Sequence, residues 1–400
     1  MYKIIIFFIN IIPVKKWRKM LREYFNNEIY RKNINKTLVY LFKNDTKFYQ
    51  YTIKDKSILI VEPNPYHAEI LPGFVKYFKD LGYNVDLFIR HENIEEKIFV
   101  GHSKTFIQNI FVGSAQHLKK LLKLEKIKNY EYVFFSSSAY WEPYGYTDSY
   151  LNYLGFEPKC KNGLLLVEHN IDPCLKKYNE EKYVEQGRLF TLSGFENTNM
   201  LSPHCYGYEK VAPKNKVTKF IVVGGINIES KNHNLLFQAV RNLKNNGENE
   251  FKVIIVGGGN KLDIPKDILQ NVEHKGRLNF KKMFMEVNNA DFFLPLLDLS
   301  IEKHKRYLNS ATTGSRQLIL GFLKPCLINK EFGNVYGFNE QNSIIYNEND
   351  LYSAMLRAIL LTKEDYEQKQ KNLKLISELF YNKSLINLKS SIERIENEAC

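Results

Sequence analysis

Apolar runs that end in glycine or in a short polar turn recur along most of this chain, separated by stretches with helical periodicity. SILIVE, Ser57 to Glu62, reads as a buried strand followed by a Pro-Asn-Pro turn. From about His67 to Leu81 the apolar positions Ile70, Phe74, Tyr77, Phe78 and Leu81 share one helical face, and Gly82 ends that helix. YNVDLFI, Tyr83 to Ile89, is the next strand. Further strands are expected near Tyr132–Ser136, Leu164–Glu168 and Arg188–Leu192, with a helix at Gln116–Leu124. A polar stretch with Gly and Pro, Gly207 to Lys216, precedes a second series. There the strands fall at Lys219–Val223, Phe251–Val256, near Val272, Asp291–Leu294 and Pro325–Ile328. The helices fall at His233–Asn246, Phe280–Asn288, Ser315–Phe322 and Asp350–Leu361. Strand and helix alternating at this spacing build parallel, doubly wound sheets. The pattern therefore predicts an α/β chain with two Rossmann-like domains, at residues 55–206 and 207–362, and a polar helical tail over 363–400.

Residues 1–54 have a different pattern. Ile4 to Ile12 is an apolar run closed by Pro13, well short of the ~20 residues needed to span a bilayer. Its basic residues follow the run and no small-residue cleavage site is present, which argues against a signal peptide. Trp17, Met20, Leu21, Tyr24 and Phe25 lie on one helical face, and Lys15, Lys16, Arg18, Lys19 and Arg22 fill the remainder. A helix of this kind suits an anionic membrane surface, through residues 1–30. The other reading is a helix packed on the protein's own body with its cations in water. Charge supports an appendage. Twelve Lys/Arg against three Asp/Glu give residues 1–54 a surplus of +9 out of +13, leaving +4 for the other 346 residues. A mildly basic body does not call for a nucleic-acid partner. Five scattered cysteines without a C-x-x-C suggest neither a zinc site nor a disulfide framework, and fit a reducing compartment. The expected location is cytoplasmic, peripheral on the inner face of the cell membrane.

The absent motifs narrow the chemistry. No G-x-G-x-x-G follows a strand, no GK[ST] occurs, and no Asp-x-Asp is present to clamp a metal-bound diphosphate. Phosphates would have to meet backbone N–H groups, a helix dipole and basic side chains. Thr313, Gly314 and Ser315 form a small polar turn opening a helix. Lys231 follows the glycine turn at Gly224–Gly225, and Arg306 and Tyr307 stand in the loop before the Gly314 turn. Each has a plain alternative, helix capping for the turn and a solvated charge for Lys231. In the first domain, His67 and Glu69 follow the first strand and His169 follows LLLVE. Carboxyl strand ends are where open α/β sheets bind ligands, and an imidazole there acts as a base or holds a sugar. The alternative for each histidine is a cap or a satisfied loop residue.

From about Lys219 to Ile359 the chain resembles the nucleotide-sugar-binding half of a GT-B glycosyltransferase of the family 4 type, the kind that builds bacterial surface polysaccharides. The resembling order is Gly224-Gly225, Lys231-Asn232, Val256 to Gly259, His274 to Leu278, Ala290-Asp291 with Pro295, Thr313-Gly314-Ser315 and Lys324-Pro325. The resemblance implies two Rossmann-like domains with the active site between them. It implies Lys231 near the diphosphate, backbone around Arg277 and Leu278 near the nucleobase, the Gly314 turn at the phosphates, and His169 at a strand end of the first domain. Gly225, Gly258, Glu302 and Tyr307 complete the expected donor site, and His169, Glu69 and His67 the catalytic one. Retaining members carry two glutamates separated by seven residues before the Lys-Pro strand. Here those places hold Ser310 and Leu318, and Glu302 lies upstream without matching.

The expected activity is metal-independent transfer of a sugar from a nucleotide diphosphate donor, with no further cofactor, to a lipid-linked or glycan acceptor. A nucleotide-sugar epimerase, a polyol-phosphate transferase or a non-catalytic membrane adaptor on the same architecture would share these features.

Overall fold

The computed structural model describes residues 48, 50–94, 96, 98–99, 107–141, 147–173, 176–177, 180–195, 198–204, 207–259 and 261–399. The expected membrane-surface helix, residues 1–30, lies outside the described residues.

The first sheet comprises β1 (Ser57–Val61), β2 (Asn84–Arg90), β3 (Ile107–Gly113), β4 (Tyr132–Phe135), β5 (Leu164–Glu168), β6 (Leu189–Thr191) and β7 (Asn199–Met200). Its order is β3-β2-β1-β4-β5-β6-β7, and every pairing is parallel. Helices cover both faces, so β1, β4 and β5 are buried throughout and read as unbroken apolar runs. β3 was not expected from the sequence. It is an edge strand with only Phe111 and Gly113 buried, so its apolar signal is half strength. The first helix, α1 (Leu71–Asp80), starts four residues later than its periodicity suggested. His67 takes a left-handed backbone, φ 65°, and residues 68–70 form a separate 3₁₀ turn before Pro72 enters the first turn of α1. The next helix, α2, is Ala115–Leu121.

The second sheet comprises β8 (Thr218–Val223), β9 (Phe251–Val256), β10 (Val272–His274) and β11 (Phe292–Phe293), ordered β10-β9-β8-β11 and parallel. A parallel bridge from Phe293 to Cys326 continues it into the pair β12 (Leu327–Asn329) and β13 (Ile344–Tyr346). Both sheets thus reverse strand order beside their first strand, which places a crevice at that point. Buried Asp291 opens β11. It accepts hydrogen bonds from the Lys219 and Asn215 backbone N–H groups at 2.8 and 2.9 Å, fastening the connecting segment to the sheet. The helices are α3 (His233–Asn245), α4 (Phe280–Asn289), α5 (Arg306–Asn309), α6 (Gly314–Phe322), α7 (Lys330–Tyr336), α8 (Leu351–Leu360) and α9 (Lys363–Ala399). Arg306 and Tyr307 therefore lie in a short helix, not in a loop.

The polar C-terminal stretch is one 37-residue helix, on the order of 55 Å long at 1.5 Å per residue. Leu373 packs into the core of the second domain, while Leu388, Ile392 and Ile395 pack into that of the first. Tyr381 stacks on Tyr77 of α1 at 5.1 Å, and Ser384 accepts from the Ser202 N–H at 3.0 Å. Its apolar positions face two different bodies along its length, which is why the sequence reads as polar. Among the described residues no helix is long and apolar enough to cross a membrane.

Candidate active site

The segments after β5 and before α6 bind each other directly. Ile171 N–H donates to the Ser310 carbonyl at 2.8 Å, Thr312 N–H donates to the His169 carbonyl at 3.1 Å, and Asn170 and Ala311 form an antiparallel bridge. Thr312 Oγ1 also donates to Ser193 Oγ at 2.7 Å. The strand-end histidine of the first domain is thus two residues from the Gly314 turn of the second. Within the first turn of α6, the buried Arg316 donates to the Leu192 carbonyl at 3.0 Å and to Ser202 Oγ at 2.9 Å, with its guanidinium over the Phe380 ring.

On the second-domain side, Thr313 caps α6 by accepting from the Ser315 N–H. Beyond Gly314 there is open space where a side chain would stand, so its backbone is approachable. Lys231 is buried, and its Nζ donates to the Pro295 carbonyl at 2.6 Å and to Ser315 Oγ at 2.8 Å. Burial pulls its ammonium down to about 7. Lys231, Thr313, Gly314 and Ser315 therefore lie together in one cluster. Gly258 stands against Arg277, whose side chain reaches Glu96 of the first domain at 2.8 Å. Leu278 follows, partly buried against the core, and Gly225 lies in the turn that carries Asn227 and Ser230. Tyr307 OH accepts from Arg306, and the Tyr307 carbonyl accepts from Tyr336 OH. Glu302 stands in solvent, paired with Lys305 at 2.6 Å. Gly224 and Gly257, read from the sequence as parts of glycine turns, are close-approach positions in the structure. A Cβ on Gly257 would lie 1.8 Å from the Gly224 carbonyl, and one on Gly224 would meet the Lys231 side chain at 2.9 Å. The sequence reading did not find Asp298, which accepts from Asn232 Nδ2 at 2.6 Å and orders the loop after β11.

On the first-domain side, the His67 and His169 rings meet edge to face at 4.6 Å, and Glu69 lies 3.7 Å from His67 Nδ1. The three expected residues are together. Burial opposes a charge on His67, but Glu69, by hydrogen bond and charge, and then Glu62 outweigh it and raise the imidazole. His169 goes the other way. Burial, then the neighbouring His67, hold it well below its ordinary value, and it is neutral at pH 7. A buried set of carboxylates and serines behind them was missed. Glu62, fully buried at the end of β1, accepts from Ser136 Oγ at 2.7 Å, Ser137 Oγ at 2.9 Å and the Asn64 N–H at 2.9 Å. The run of serines straight after YVFF, at a carboxyl strand end, was the available signal. Behind them Ser138 bonds both Glu168 and Glu180, and burial followed by the Glu180 charge pushes the Glu168 carboxyl well up.

The places of the retaining glutamate pair hold Ser310, whose Oγ donates to the Arg306 carbonyl, and Leu318, packed in the core. No carboxylate stands at either. Among the described residues no three His, Cys, Asp or Glu side chains are grouped to hold a metal ion. A cavity of about 540 Å³ opens elsewhere, between α4 and the start of β8 and β9, lined by Lys219, Lys252, Asn271, Lys275 and Glu286. It contains none of the cleft residues.

No family model matches the chain, and no curated protein sequence does. Solved structures match in fold. An alpha-glucosyltransferase in complex with UDP and a 13-mer DNA containing an HMU base superposes with a TM-score of 0.56 at 14% identity, over 86% of this chain and 100% of that one. A glycosyltransferase from Rickettsia africae ESF-5 gives 0.53 at 14% identity, again over 86% and 100%. The fold is thus that of two-domain GT-B glycosyltransferases, with two Rossmann-like domains.

Proposed function

We propose that this chain is a glycosyltransferase that moves a sugar from a nucleotide diphosphate donor to a glycan or lipid-linked acceptor, as in surface polysaccharide synthesis. One observation carries the reading. Backbone hydrogen bonds between residues 169–171 and 310–312 hold a strand-end histidine beside an open helix N-terminus backed by a buried lysine. In this reading Lys231, Ser315 and the α6 N-terminus receive the diphosphate, and the Arg277–Leu278 backbone lies at the nucleobase. The acceptor hydroxyl attacks the anomeric carbon, the bond from that carbon to the diphosphate oxygen breaks, and the electron pair leaves with the diphosphate. Positive groups fixed where that charge develops supply much of the acceleration, without a separate cofactor or metal. His169, held neutral, binds a sugar hydroxyl. Glu69, held by His67, takes the acceptor proton.

The structurally similar alpha-glucosyltransferase was solved with UDP, so uridine diphosphate sugars are the first donors to test. Binding of the right donor raises Tm by mass action. Transfer of labelled sugar to a glycan or lipid acceptor supports the reading. Interconversion of the sugar without an acceptor would make the chain an epimerase, and binding without turnover would make it an adaptor. Residues 1–30 are proposed to hold the enzyme on the anionic inner face of the membrane.

A further inference from the structure

His169 has a fixed tautomer. Its Nε2 lies 3.1 Å from the Ser136 carbonyl and 3.2 Å from Ser137 Oγ. A carbonyl oxygen only accepts, so Nε2 carries the proton and the lone pair is on Nδ1. Ser137 has a second partner, Glu62 Oε2, at 2.9 Å. A carboxylate also only accepts, so the Ser137 hydroxyl points at Glu62 and offers its own lone pair back to His169. The polarity runs one way, from Nε2–H to Ser137 Oγ–H to the Glu62 carboxylate. Glu62 itself is locked by Ser136 Oγ and the Asn64 N–H.

We propose that Glu62, acting through Ser137, is a positioning residue that keeps His169 as the Nε2–H tautomer and so makes Nδ1 its hydrogen-bond acceptor in the cleft. What Nδ1 accepts, a sugar hydroxyl, rests on the function proposed above; the tautomer does not. A protonated or amide group at position 62 would donate to Ser137 and turn its hydroxyl toward His169, where it would compete with the proton on Nε2. Burial first, partly offset by Ser136, Asn64, His67 and Ser137, pushes the Glu62 carboxyl up to about 7. The titratable groups around the relay are His67 and Glu69 from the turn after β1 and His169 after β5. Glu168, the last residue of β5, and Glu180 are bonded to Ser138.

The test is ¹⁵N NMR of the full chain with labelled histidine, His169 being assigned by its loss in His169→Asn. The unmodified chain should show one tautomer, with protonated Nε2 and unprotonated Nδ1, and this signal should shift as pH falls through about 7. Glu62→Gln should give mixed tautomers, because the amide turns the Ser137 hydroxyl toward Nε2; adding Ser137→Ala to it leaves only the Ser136 carbonyl on Nε2 and should restore the single form. In a transfer assay kcat should fall about tenfold in Glu62→Gln with the donor KM within about twofold, as for loss of one charge-assisted hydrogen bond. Should Glu62→Gln unfold, protonation of Glu62 as pH falls through about 7 makes the same change in the unmodified chain. An unchanged single tautomer in a folded Glu62→Gln chain overturns the proposal, even if the chain transfers sugar normally. A chain that transfers no sugar but shifts tautomer as described keeps the relay and refutes the proposed function.

Discussion

Lys231 ties chemistry to pH in a way that can be measured directly. In the fold its ammonium is pulled down to about 7 from an ordinary lysine value, because burial disfavours the charge. The folded state therefore binds fewer protons than the unfolded one above pH 7, and stability from this group rises as pH climbs from 7 toward the unfolded value. A diphosphate reverses the preference by pairing with the cation. Nucleoside diphosphate affinity should then fall above pH 7, by up to about tenfold per unit, and Lys231→Ala should bind weakly with that slope removed; isothermal titration in buffers of different ionisation enthalpy reads the proton uptake. Gly314 gives a cleaner test of location. The space beside it is open, so Gly314→Val should fold with little change in Tm yet lose nucleotide binding, because the valine occupies the ligand's approach. Unchanged affinity in Gly314→Val and Lys231→Ala would remove the diphosphate from this turn. His169→Ala should lower kcat far more than nucleotide affinity, since the proposed function places the nucleotide on the other domain.

Elements differ in how much of their role the sequence showed. FIVVGG and FKVIIVGGG announced β8 and β9, because strands covered on both faces need only be apolar, and glycines at their ends let the Gly224 carbonyl pass against Gly257. β3 went unseen because, at the sheet edge, only Phe111 and Gly113 of its seven residues are buried. β13 and α7 are too short to give a period. The strand-end position of His169 was legible from LLLVE alone, but its partners were not. Glu62, Ser137 and His169 come from three strands, and only the sheet order β1-β4-β5 brings them together. Arg316 shows the same limit, since nothing local distinguishes it from a solvated helix charge. It bonds the Leu192 carbonyl and Ser202 of the other domain, so Arg316→Ala should cost about 2–4 kcal/mol in urea unfolding, through lost hydrogen bonds and buried partners left without them.

For the whole molecule, the expected division at residues 207–216 and the basic appendage lead to separate experiments. Limited proteolysis should cut within 207–211, the start of the expected linker, ahead of the Ala212 and Asn215 backbone contacts that tie the rest of it down. Deleting residues 1–30 should abolish binding to anionic liposomes at low salt, and high salt should weaken binding of the intact chain; indifference of the intact chain to such liposomes would end the membrane reading. The long helix α9 also bears on how the protein is made. Leu388, Ile392 and Ile395 complete a core whose other members include Ile58, Phe74, Phe134 and Leu165. A ribosome working at about 5–20 residues per second delivers them on the order of 10–40 s after Leu201 has been made. During that interval the earlier domain has an uncovered apolar face, and the later domain can complete its own sheet first. Arrested nascent chains ending near residue 360 should therefore be protease-sensitive in the domain made first. Those carried through residue 399 should be resistant in the first domain as well.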